Sequence, residues 1–256
     1  WLVKTDANGN IVWNQTYGET GDEFAWALVQ TSDGGYALAG EKHPSGVDTA
    51  DLWLVKTDAA GNMEWNQTYG ETGRDVAYAV VQTNDGGYAL AGYTSSGPGY
   101  FDFLLVKTDA SGNMQWSKTY GEVGGTNTED MAYAVVQASD GGYALAGYTS
   151  SFGFDFWLVK TDAYGTMMWN KTYGGGVSEF AKALVRTSDG GYAIAGETSS
   201  FGAGSYDSWL VKTDASGNMQ WNKTYGGTGN DWAYALVQTS DGGYALAGGT
   251  DSFGAG

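Results

Sequence analysis

Apolar and polar residues alternate along this chain in short runs, four to a repeat. Between residues 76 and 121 the runs are VAYAVVQT (76–83), GYALAGYT (87–94), FLLVKTD (103–109) and MQWSKTYG (114–121). None holds helical periodicity over a helix-length window, whereas short runs rich in β-branched and aromatic residues suit strands. N-D-G-G joins the first two runs and D-A-S-G-N the last two, both turn chemistries that close β-hairpins. Each repeat is therefore expected to form four antiparallel strands, named A to D in chain order.

The pattern recurs at a nearly fixed period. WLVKTD stands at Trp1, Trp53, Trp157 and Trp209, and LLVKTD at Leu104, so the steps are 52, 51, 53 and 52 residues. A period of this length with four strands per repeat describes β-propeller blades. The expectation is an all-β chain forming a single domain over residues 1–256: a five-bladed β-propeller with four antiparallel strands per blade. Strand A, rich in small residues, suits the crowded centre. Strand D mixes aromatics with Asn, Gln, Lys and Thr, as an exposed outer edge requires. The chain begins with a C–D pair (1–17) and ends with an A–B pair (232–248), so the two ends are expected to make the fifth blade together. An open solenoid would instead need polar capping repeats, which the sequence lacks.

The cadence [TS]-x-D-G-G-Y-A-[LI]-A-G, D-x-W-L-V-K-T-D, G-N-M-x-W-N-[KQ]-T-Y-G resembles, over the whole chain, the repeat propellers of large surface or secreted proteins of archaea and bacteria. The resemblance implies a β-propeller, an extracellular or cell-surface setting and no established activity, and it transfers no catalytic residue. Leu104 and Ser117 depart from the usual Trp and Asn, and the D-to-A loop of the third repeat, EVGGTNTED, is longer than the others.

Composition narrows the partners. Without cysteine, neither disulfides nor thiolate metal sites hold the fold. A formal charge of −17 argues against nucleic acid or anionic membrane as partner, and it suits a cation, a neutral glycan or a surface protein. No run reaches membrane-spanning length. The chain opens on Trp1 inside an expected strand, so we expect it to be cut from a longer protein.

Acidic residues recur at four repeat positions. Those in the A–B turn (Asp33, Asp85, Asp140, Asp189, Asp241) and those ending strand C (Asp6, Asp58, Asp109, Asp162, Asp214) are expected to close turns through their own side chains. D-x-N-G-N at Asp6–Asn10 has part of a calcium-loop spacing but no closing bidentate carboxylate, so it is a hairpin turn first. A set of four opens strand C (Asp51, Asp102, Asp155, Asp207), and a further set precedes strand A: Glu23, Asp75, Asp130, Glu179 and Asp231. On innermost strands these acids are expected to circle the mouth of a channel, where they would bind Ca2+, cap the neighbouring strand or pair with the repeated lysines.

Variation concentrates in the B–C and D–A loops, the expected binding face. Tyr100, Phe101, Phe152, Phe154, Phe201, Tyr206 and Phe253 there offer ring faces to sugars or peptides, or pack down as plugs. Asn14, Asn66, Asn170 and Asn222 head N-x-T sequons on outer strands, sites for N-glycosylation in an exported protein. His43 reads as a lone surface histidine beside Pro44. The expected function is a non-enzymatic structural or adhesive display unit needing no cofactor. A multivalent lectin-like glycan binder is the alternative, and a polysaccharide-active enzyme the third reading.

Overall fold

The computed structural model describes residues 1–46, 49–70, 72–96, 100–121, 128–151 and 153–254. Every element is a strand, as the alternation requires, and the chain divides into two compact units, Trp1–Gly97 with Phe103–Thr119, and Pro98–Asp102 with Tyr120–Gly256.

The first unit holds a two-stranded sheet, β1 (Leu2–Thr5) and β2 (Ile11–Gln15). Next come a four-stranded antiparallel sheet, β3 (Gly21–Gln30), β4 (Tyr36–Pro44), β5 (Asp51–Thr57) and β6 (Met63–Tyr69), and a second, β7 (Asp75–Gln82), β8 (Tyr88–Thr94), β9 (Asp102–Thr108) and β10 (Met114–Tyr120). Asp102 and Tyr120 fall in the other unit. That unit contains β11 (Asp130–Gln137), β12 (Tyr143–Thr149), β13 (Asp155–Thr161) and β14 (Met167–Tyr173) as one four-stranded sheet. A second is β15 (Glu179–Arg186), β16 (Tyr192–Thr198), β17 (Asp207–Thr213) and β18 (Met219–Tyr225), and β19 (Asp231–Gln238) with β20 (Tyr244–Thr250) forms a two-stranded sheet. Strand order within every sheet is chain order, so the four-strand repeat read from the sequence is the sheet itself.

Sheets bury both faces against their neighbours in each unit. Leu54 and Ala39 meet Val80 and Leu90 in the first, while Leu2 of β1 covers Leu38 and Val55 on the other side of the same sheet. Phe156 and Leu158 meet Trp209 and Ile194 in the second, and Leu236 closes over Ala193 and Ala195. Burial on two faces explains why strands B and C are continuous apolar runs and not alternating ones.

A polar staple fixes each sheet internally. The lysine of WLVKTD lies almost fully buried in strand C and reaches the A–B turn aspartate: Lys56 to Asp33 at 2.8 Å, Lys107 to Asp85 at 2.9 Å, Lys160 to Asp140 at 2.7 Å and Lys212 to Asp189 at 2.8 Å. The D-G-G turn is what admits it. Its first glycine takes φ +87 at Gly34, and a Cβ on the second, Gly35, would stand 2.1 Å from the Thr57 carbonyl and 2.9 Å from the lysine Nζ. At the other hairpin, Asp58 accepts the amides of Ala60 and Asn62 together with the Asn62 side chain, which makes it a turn closure as expected.

The two departures at Leu104 and Ser117 explain each other. In the other complete sheets the strand C indole donates to a strand D asparagine thirteen residues on: Trp53 to Asn66 (3.2 Å), Trp157 to Asn170 (3.3 Å) and Trp209 to Asn222 (3.2 Å). Leu104 has no N–H to satisfy, so Ser117 replaces the asparagine at no cost. Part of the long third D-to-A loop lies outside the described residues.

Of the expected architecture, the repeated four-stranded antiparallel sheets are present. Residues 1–17 and 232–248 do supply the missing halves, but β1–β2 and β19–β20 stand as separate two-stranded sheets, and no sheet is closed among the described residues. Leu28 of β3 is 53% exposed, where its counterpart Val80 of β7 is 8%.

The staple carries a measurable pH dependence. Against burial, which raises it, hydrogen bonds from Thr83 and Lys107 bring the Asp85 carboxyl down to about 2. A carboxyl depressed on folding contributes stability above its unfolded value, near 4, and loses it as pH falls through the folded one. Asp85→Asn should lower unfolding free energy at pH 7 by about 1–3 kcal/mol, a discounted value because the carboxylate is half exposed. Asp241→Asn, in the turn without a lysine, should change it little. Urea titrations at pH 7 and pH 2 check both, with the Asp85 difference shrinking at the lower pH.

Candidate functional site

Every A strand carries a β-bulge at the same place. The register slips between Ala25 and Ala27, Ala77 and Ala79, Ala132 and Ala134, Ala181 and Ala183, and Ala233 and Ala235, leaving Trp26, Tyr78, Tyr133, Lys182 and Tyr234 as the extra residues. Bulges re-aim side chains beside functional sites. Here the facing strand B glycine makes the bulge possible: a Cβ on Gly147 would stand 1.8 Å from the Met131 carbonyl.

In the first unit the bulge side chains gather around one buried carboxylate. Trp26 Nε1 donates to Glu41 Oε1 at 3.2 Å, and Arg74 donates through Nη2 (2.9 Å) and Nε (3.3 Å) to Oε2. His43 Nε2 lies 3.1 Å from Oε2 and its ring stands edge-on to Phe24. Phe24 stacks on Trp26 (5.7 Å), Trp26 meets Tyr78 (6.2 Å), and Tyr78 meets Tyr93 (5.9 Å). Burial, then the charge of Glu41, raises the Tyr78 hydroxyl pKa. His43 is thus no lone surface histidine but part of an ion cluster. Both oxygens of Glu41 are occupied by donors, which suits holding rings in place better than proton transfer.

The second unit repeats the theme with opposite charge at the bulge. Lys182 Nζ lies 3.7 Å from the Tyr133 ring centroid and 5.6 Å from that of Phe180, a cation–π contact of useful strength in a desolvated site. Burial lowers the Lys182 pKa against the pull of Glu197, and burial raises that of Glu197. Tyr148 joins Tyr133, Phe154 and Phe180 in one aromatic group, with centroids 5.0–6.1 Å apart. Sequence reasoning passed over these bulge residues. The available signal was Ala-x-Ala, in which a large residue interrupts small ones on a strand otherwise suited to close packing.

The residues expected from the loops do not converge. Tyr100 is exposed against Phe101, Phe101 bridges Glu129, and Tyr206 bridges Asn230. Phe154 joins the aromatic group above, Phe201 packs beside Trp209, and Phe253 is exposed. Phe152 lies outside the described residues. Among the sequons, Asn66, Asn170 and Asn222 serve the indoles already described, while Asn14 on β2 is exposed.

The acids before strand A occur in pairs, each beside the acid that opens a strand C. Asp51 and Asp75 meet beside Gly70, Asp102 and Asp130 beside Gly121, Asp155 and Glu179 beside Gly174, and Asp207 and Asp231 beside Gly226, while Glu23 lies beside Gly18. No group of three or more His, Asp or Glu able to hold a metal occurs among the described residues. Glu179 receives the Thr198 hydroxyl (2.8 Å) and the Gly175 amide (3.1 Å), while Asp155 Oδ1 is buried without a hydrogen bond. Burial, then Glu179, raises the Asp155 pKa. Such a pair favours a shared proton over two charges.

No family model matches the chain, and no curated protein matches it. Solved structures do. A protein of unknown function from Bacteroides caccae is 14% identical with a TM-score of 0.55, the match covering 86% of this chain and 73% of that one. A protein of unknown function from Dyadobacter fermentans is 12% identical with a TM-score of 0.53, covering 86% and 69%. These neighbours are propeller-like and agree with this chain as an all-β fold of repeated four-stranded antiparallel sheets. At such identity the likeness concerns fold alone.

The raised Asp155 sets a direction. A carboxyl whose pKa rises on folding costs stability above that pKa and costs nothing where both states are protonated. Asp155→Asn should therefore raise the thermal midpoint at pH 7 and leave it unchanged near pH 3, which differential scanning calorimetry at the two pH values checks.

Proposed function

We propose that the chain is a non-enzymatic extracellular or cell-surface module, a five-bladed β-propeller whose fifth blade combines residues 1–17 with residues 232–248, acting as a structural or adhesive display scaffold. One observation carries the reading: the repeated polar chemistry is spent on holding sheets together, through lysine–aspartate staples, aspartate-closed turns and indole–asparagine bonds. What remains for a partner is the bulge residue of each A strand, aromatic in four of the five. Rings held by buried charges recognise the apolar faces of sugars or the side chains of a surface protein. The site works without a cofactor.

A multivalent lectin-like binder needs equivalent pockets. The bulge residues keep different company, Glu41 and Arg74 beside Tyr78 but Glu197 beside Lys182, which ranks repeat-specific contacts above identical sugar sites. A polysaccharide hydrolase needs two carboxyls of different tuning facing one pocket.

The test combines a glycan array and retention on intact source cells with a reducing-sugar assay. Binding without release of reducing ends is expected, weakened about tenfold or more by Tyr78→Ala combined with Tyr133→Ala. Release of reducing ends would overturn the non-enzymatic reading, and absence of retention on every surface would overturn the adhesive one.

A further inference from the structure

Lys182 is the lysine of an A strand, and the staple that holds the strand C lysines has no counterpart there. It is half-buried on β15, and among the described residues its ammonium has neither a hydrogen-bond acceptor nor an ion-paired carboxylate. What holds it is the Tyr133 ring, whose centroid lies 3.7 Å from Nζ, with that of Phe180 at 5.6 Å. Ring faces attract the charge but take up none of the three N–H donors as an oxygen would, so those donors are left for a ligand.

A carboxylate faces the ammonium on the same strand pair. Glu197 of β16 stands opposite Phe180 in the register and attracts Lys182 without closing an ion pair. It is partly exposed and accepts no hydrogen bond among the described residues. The same strand B position in the first sheet holds Glu41, which is 3% exposed and has both oxygens taken by Trp26, His43 and Arg74. Tyr93 and Tyr148 occupy it in the next two sheets, and Gly249 in the last, so a bulge lysine with a glutamate beside it belongs to one repeat. Phe180 and Phe154 form an apolar wall at the site, their centroids 5.3 Å apart and both rings partly exposed. Buried Tyr148 backs them at 5.0 Å and 5.6 Å.

We propose that this site binds a neutral sugar, with the C–H face of a pyranose on Phe180 and Phe154 and a vicinal diol between Lys182 and Glu197. One hydroxyl oxygen accepts from the Lys182 ammonium, and its neighbour donates to the Glu197 carboxylate. A diol does both because every hydroxyl is donor and acceptor at once. Charge selects a neutral sugar over an acidic one: ammonium and carboxylate already balance at the site, the chain carries a formal −17, and a uronate would be repelled by Glu197. A charged protein side chain of either sign would satisfy one member of the pair and repel the other. The sugar is a ligand of the display module proposed above, and the site rests on that non-enzymatic binding reading.

Amide NMR titration of the whole chain with the methyl pyranosides of glucose, galactose and mannose, and with methyl galacturonide as the acidic counterpart, tests it. At least one neutral glycoside should shift the Phe180, Lys182 and Glu197 amides saturably, and methyl galacturonide should bind about tenfold more weakly or less. Lys182→Met and Glu197→Gln should each weaken the neutral glycoside about tenfold or more, whereas Lys118→Met, on an exposed strand D, should not. Circular dichroism checks that each variant stays folded, and Lys182→Arg, which keeps a donor, should retain binding. In the glycoside bound best, deoxygenation at either of two adjacent carbons should abolish binding. Tighter binding of methyl galacturonide, or neutral binding untouched by both Lys182→Met and Glu197→Gln, overturns the proposal. Retention on source cells without binding of any of the three neutral glycosides also overturns it, while leaving the adhesive reading standing.

Discussion

A lysine ammonium buried in the third strand of each complete sheet is the constraint around which the rest is arranged. Taking that charge out of water costs several kcal/mol unless a carboxylate meets it. The carboxylate common to the four complete sheets comes from the A–B turn, joined at Lys56 by Glu64 of strand D, so the turn must be tight, must offer an aspartate, and must leave room for the lysine to cross. D-G-G meets all three demands: an aspartate, a glycine in the left-handed region at Gly34, and a second glycine at Gly35 whose missing side chain clears the path. The recurrence of this string is therefore the recurrence of one packing problem.

The A strands are free to specialise because the other three strands hold each sheet. Each bulge places one large side chain among alanines, and its surroundings change from sheet to sheet: a guanidinium, imidazole and carboxylate about Trp26 and Tyr78, an ammonium over Tyr133 and Phe180. Chemistry that varies on a scaffold that does not is the usual way a repeat fold acquires a binding surface.

The strands and turns were legible in the sequence because alternation, turn residues and period agreed at every repeat. The aspartate roles followed from turn chemistry. Legibility failed where the answer depends on which groups meet in space. Four of the five acids before strand A lie beside the acid that opens a strand C, as Glu179 does beside Asp155, a pairing that counting along the chain does not reveal. His43 looked solitary because Arg74 lies 31 residues further along the sequence. The bulge shows only as the Ala-x-Ala string, because a one-residue slip in register leaves no mark on composition. The halves at the chain ends were recognised as complementary, but complementarity of sequence does not say whether the two halves pair.

Amide hydrogen exchange at the second turn glycine measures the staple most directly. Gly35, Gly87, Gly142 and Gly191 donate to an aspartate held by a lysine, whereas the Gly243 amide bonds Asp241 at 3.0 Å with no lysine present. The account expects Gly243 to exchange much faster than the other four. Equal protection at all five glycines in dilute protein would contradict it.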